Sequence, residues 1–193
     1  MIEKISDKLI QALKREDVIS ESDADIYVYG LFQFLMMCLN IGTTILVGVL
    51  LKAFIPCVIL NISYIPLRIS AGGYHAKTPF RCYLYSTAII MSLLLIVKYV
   101  PISFITSLTM LIISSVVIWL IAPVATADDP FDEIEKAVYK RRTRIVLIAE
   151  IVLFFLLALL FHGWMSITIT LAIATEAIML LIGKMTIFKT LNS

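Results

Sequence analysis

His75 and Cys82 stand seven positions apart in "RISAGGYHAKTPFRCYLYS", residues 68–86. This polar stretch between long runs of Leu, Ile and Val holds one of only two histidines and one of only three cysteines. A thiol and an imidazole together can perform acyl transfer. The thiolate attacks a carbonyl carbon, and the imidazole takes up the thiol proton and later protonates the leaving group. "TPFRC" offers a way to raise such a nucleophile. Thr78 is a good N-cap and Pro79 suits the first helical position. A helix starting there puts Cys82 in its first turn, where the positive end of the helix dipole and Arg81 would both favour a thiolate. Pro79 forbids one continuous helix carrying both residues. Gly72 and Gly73 allow a turn by which His75 folds back toward Cys82.

Taken alone, a His–Cys pair at this spacing is a weak motif. Competing chemistries have less support. There is no HExxH, no phosphate-binding Walker loop and no GxSxG. Two histidines so far apart do not make a metal site, and Ser70 and Ser86 lack a second nearby histidine. No cofactor or metal is expected, and no nucleic-acid partner.

The elements that must position this pair are membrane spans. Of the 193 residues, 61% are hydrophobic and 16% charged, and the mean hydropathy is +0.99. A soluble domain carries about 25% charged residues, so the bilayer is the expected solvent. Three cysteines, an odd number, imply no disulfide framework. Residues 1–25 carry eleven charges and are not expected to be a cleavable signal. Within them, residues 2–15 space Ile2, Ile5, Leu9, Ala12 and Leu13 as one face of an amphipathic interfacial helix. Six apolar runs follow, near 27–51, 53–67, 83–97, 102–122, 145–161 and 164–183. The second is short and contains Pro56, Asn61 and Pro66. Extended to Ser70, with Arg68 snorkelling, it reaches about 27 Å, so it either just crosses or re-enters.

Charge decides between the two. With six crossings and the N-terminus inside, fourteen of the sixteen basic residues fall on the inner side, leaving only Lys52 and Lys98 outside. The positive-inside rule favours that arrangement. It makes the chain all-α, a single membrane-embedded domain over 1–193. The 1–25 segment, the 68–82 loop, the 123–144 loop and both termini are then cytoplasmic. Within the last loop, "DDPFDEIEKAVYKRRTR" puts acids first and bases last, which suits a short helix. Its basic cluster is expected to serve topology and attraction to anionic lipid heads, or else contact with an acidic partner.

The stretch "RISAGGYHAKTPFRC" resembles the signature of the accessory gene regulator B (AgrB) family, multi-pass membrane cysteine endopeptidases of peptide quorum sensing. The family's arginine, glycine, histidine and cysteine fall on Arg68, Gly73, His75 and Cys82. Ala122 and Pro123, followed by Pro130, are also similar to the family. The resemblance implies a cell-membrane thiol protease with His75 and Cys82 as its catalytic residues. Its substrate would be a short amphipathic pro-peptide, AgrD-like, cut through an acyl-enzyme to remove an acidic C-terminal tail. A thiol or hydroxyl within the substrate would then close a thiolactone or lactone ring. In this setting Arg68 binds a substrate carboxylate or anchors the second span, and Gly73 is conformational.

Two carboxylates lie inside spans. Glu150 is about 9 Å deep on the fifth and Glu176 about 12 Å deep on the sixth. They are expected at similar depth on antiparallel neighbours, either guiding substrate or pairing with local bases to hold the helices together. They also suit a different class, a small peptide transporter without peptidase chemistry. Six short spans offer limited enclosure, which leaves room for a homo-oligomer.

Overall fold

A computed structural model of the chain describes residues 24–74, 76, 78–125, 131–161 and 164–191. The amphipathic segment expected over 2–15 lies outside the described residues, as do His75 and Lys77. Among the described residues six helices follow one another: α1 Ala24–Leu50, α2 Phe54–Ala71, α3 Pro79–Tyr99, α4 Phe104–Ile121, α5 Glu133–Leu160 and α6 Trp164–Leu191. All six are long and apolar enough to cross a membrane.

Local chemistry sets the helix starts. The Thr78 hydroxyl accepts from the Arg81 N–H with Pro79 at the first position of α3. Ser103 caps α4 by accepting from Thr106 N–H. Asp132 and Glu135 form a reciprocal capping box at α5, each side chain taking the other's backbone N–H. That box starts α5 well before the apolar run. The short loop helix expected within 123–144 is therefore continuous with the fifth span, and α5 is about 42 Å long.

The α1–α2 turn is tight. Lys52 takes φ 54°, and a Cβ on Gly48 would meet Cys57 Cβ at 2.6 Å. At this end of the bundle Lys98, from the last turn of α3, donates to Leu51 O at 2.9 Å. The start of α3 lies at the opposite end. The short second run thus travels the length of the bundle.

α6 is the central helix. About 67% of its most apolar window is buried, against 11–39% in the other spans. Its small and β-branched side chains, among them Thr170, Ala172, Thr175 and Ala177, let neighbours approach. One core cluster joins Leu67, Leu111, Ile118, Leu147, Phe154, Ile169, Ile173 and Leu180. The other joins Cys57, Leu60, Ile90, Leu94 and Ala172. α4 packs on α6, α5 on α2 and α6, and α1 on α3 and α2. Large exposed side chains such as Ile105, Leu120 and Leu159 suit hydrocarbon.

Candidate active site

The polar stretch opens where α2 ends. Gly72 caps the helix at φ 76°, and Gly73 follows at φ 110°, values that L side chains resist. From here the chain is pinned residue by residue. Val124, just beyond α4, donates to Ala71 O at 2.9 Å, and Gly73 donates to Val124 O at 3.1 Å. Tyr74 donates to Met179 O of α6 at 3.0 Å. Residues 72–74 thus form a strap across the ends of α2 and α4 and over α6. Thr143 of α5 joins the same end, donating to Ser70 O at 2.8 Å.

Glycines make room for the strap. A Cβ on Gly72 would collide with the Val124 carbonyl oxygen. One on Gly73 would meet Arg68 Nη1 at 2.5 Å and Met179 O at 3.1 Å. One on Gly183, a helical turn after Met179, would meet Tyr74 N at 2.6 Å and Gly73 C at 2.7 Å.

Arg68 binds the strap from the side. Its guanidinium donates through Nη1 to Gly72 O and through Nη2 to Tyr74 O. Its Nη1 also lies 3.7 Å from Glu176 Oε1. The guanidinium is thereby engaged inside the protein. His75, outside the described residues, is the next residue in the chain after this clamp.

Cys82 is half-buried in the first turn of α3, its N–H bonded to Thr78 O at 3.0 Å. The start of α3 is tied to α1. Asn40 donates to Ser86 Oγ, Ser86 in turn donates to Cys82 O at 3.0 Å, and Thr43 shares a 2.9 Å hydrogen bond with the Tyr83 hydroxyl. Only residues 75–78 separate Tyr74 from Pro79, the first residue of α3. Cys82 and the strap therefore share one end of the bundle. Cys57 is fully buried and Cys38 is exposed on α1, and neither lies in the polar stretch. Among the described residues no group of three His, Cys, Asp or Glu could hold a metal ion.

The two carboxylates both turn toward α2. Glu150 is buried beside Ser63. Glu176 is fully buried and faces Arg68. Sequence reasoning placed these carboxylates at similar depth, to guide substrate or to pair with local bases, and Glu176 faces such a base in Arg68. It missed Val124, Met179 and Gly183, of which only Gly183 carried a signal, a glycine inside an apolar helix.

Comparison with known proteins gives a consistent set of relatives. The profile of the family Accessory gene regulator B matches residues 3–181. Protein FsrB of Enterococcus faecalis is 34% identical over 122 residues, which is 62% of this chain and 48% of that protein. The chain thus spans about half the length of that relative. Accessory gene regulator protein B of Staphylococcus aureus strain Newman is 31% identical over 145 residues, 74% of this chain and 75% of that one. The protein of the same name from strain bovine RF122 is 29% identical over 143 residues, 74% of each chain. No solved structure matches.

Proposed function

Because this chain belongs to the accessory gene regulator B family, we propose that it is a membrane cysteine endopeptidase of a peptide quorum-sensing system, acting on a short pro-peptide. The observation that carries the reading is the meeting at one end of the bundle of Cys82, raised on the first turn of α3, and the strap that leads into His75.

In this reading His75 takes the Cys82 thiol proton as the sulfur attacks the scissile carbonyl of the pro-peptide. The tetrahedral adduct collapses to a thioester on Cys82. His75 returns the proton to the departing amine, and the C-terminal tail leaves. An internal substrate thiol or hydroxyl then attacks the thioester, closing a thiolactone or lactone and restoring the Cys82 thiol. A thioester retains much of the acyl activation, so ring closure is an exchange that must outrun hydrolysis. A site at the membrane surface helps by limiting water. The strap face is cytoplasmic by the distribution of basic residues, where a ribosomal substrate appears.

The test is processing by purified protein in liposomes. Cys82→Ala is expected to abolish cleavage while leaving insertion intact. Cys82→Ser is expected to be nearly as inactive, since a hydroxyl is a poor nucleophile beside a base tuned for a thiol. His75→Ala is expected to lose about 10²–10⁴-fold. When the substrate's internal Cys or Ser is replaced by Ala, a hydroxylamine-labile peptide adduct accumulates on Cys82, read by mass spectrometry. An active Cys82→Ala protein, or an adduct on another residue, removes the mechanism.

A further inference from the structure

Glu176 is fully buried, and neither carboxylate oxygen has a hydrogen-bond partner among the described residues. Its ion-pair partner is Arg68, at 3.7 Å. A charge placed inside a membrane bundle is costly and persists where it faces an opposite charge or serves a function. Packing alone would be met by an apolar side chain of similar volume. The guanidinium that Glu176 faces is the one that donates to Gly72 O and Tyr74 O. Three residues further along α6, Met179 O accepts from Tyr74 N–H at 3.0 Å. One turn of α6 therefore holds the strap twice, directly through Met179 and indirectly through Glu176 and Arg68.

We propose that Glu176 is a positioning residue for the acyl-transfer site: through Arg68 it fixes the carbonyls of Gly72 and Tyr74, and so sets where His75 begins. This rests on the reading of His75 and Cys82 as the reacting pair. Glu176 touches no substrate, because it has no exposed surface. Without the carboxylate, the guanidinium loses its buried counter-charge. Arg68 is 17% exposed, so it can turn toward water and release both carbonyls.

The experiment has two readouts. The first is processing kinetics in liposomes for wild type, Cys82→Ala, Glu176→Gln, Arg68→Gln and the double variant Arg68→Gln/Glu176→Gln. The second is the mobility of a nitroxide on Ala76→Cys, with Cys38, Cys57 and Cys82 replaced by alanine, which needs no activity. Glu176→Gln is expected to lower kcat about 10–100-fold, the scale of an ångström of misplacement, and to leave KM unchanged. The label is expected to become more mobile. Arg68→Gln is expected to do the same, and the double variant no more than either single one. Unchanged label mobility in Glu176→Gln overturns the proposal, as does a rise in KM with kcat intact. So do losses that multiply in the double variant. If Glu176→Gln does not insert, Glu176→Asp decides, since it keeps the charge but withdraws it by one methylene. A mobile label and lower kcat support the proposal, and wild-type values overturn it. Cleavage that survives Cys82→Ala removes the peptidase reading instead, and the label measurement still judges the strap.

Discussion

Gly183→Ala separates holding the fold from placing the site. The added Cβ would lie 2.6 Å from Tyr74 N and 2.7 Å from Gly73 C. Ordinary contact is about 3.5–4.0 Å, so the strap must lift from α6 by roughly 1 Å. Both neighbours are backbone, and neither can rotate away. The Tyr74–Met179 hydrogen bond, 3.0 Å in the native protein, stretches beyond useful range. Overpacking costs about 1–3 kcal/mol, and the lost bond about 1 kcal/mol. Alanine in a helix interior returns about 1 kcal/mol relative to glycine. The net destabilisation is therefore about 1–3 kcal/mol, a modest change for a protein that remains inserted. The effect on turnover is larger, since an ångström of misplacement costs about 10²-fold. The assay is initial-rate processing of a pro-peptide in liposomes, alongside thermal unfolding of the same preparation. Gly42→Ala is the control, because nothing lies within 4 Å of a Cβ built there, and it is expected to behave as wild type. Wild-type turnover in Gly183→Ala, or an equal loss in Gly42→Ala, would refute the reasoning.

Two further outcomes are expected. In a cysteine-free background, an impermeant maleimide applied to intact cells should label Lys98→Cys and spare Lys77→Cys and Lys136→Cys until the membrane is opened. Labelling of the latter two from outside would reverse the orientation drawn from the basic residues. Cys38→Ala and Cys57→Ala should keep processing activity. Cys57→Ala should lower stability by about 1 kcal/mol, because its buried sulfur donates to Thr44 O at 3.0 Å and fills the notch at Gly48. Loss of activity in either would move the nucleophile away from Cys82.

What could be read from the sequence was what depends on near neighbours. The six apolar runs correspond to the six helices because hydropathy is a property of a window. The start of α3 was visible in Thr78 and Pro79, since capping spans only a few residues. The early start of α5 was also written locally, in Asp132 and Glu135, but the apolar run drew the boundary too late. The strap was not legible. Its partners are the backbone of Val124 and Met179, and a carbonyl leaves no trace in residue type. Glu176 stood out as a carboxylate in an apolar span, and pairing with a local base was one of its expected roles, but that the base is Arg68 of α2 was not legible. Which helices touch is set by packing across the whole bundle, and periodicity along one helix does not contain it.

The strap also has a history in time. Tyr74 leaves the ribosome about a hundred residues before Met179, some 5–20 s earlier at ordinary rates of synthesis. Until α6 is threaded, the Tyr74 N–H lacks the Met179 carbonyl and Arg68 lacks the Glu176 carboxylate. Five spans can be in place and Cys82 already exposed, yet the segment leading to His75 is still unheld. α6 is made after the other five described helices and supplies partners of the strap, so a chain halted before it carries the Cys82 thiol without that frame.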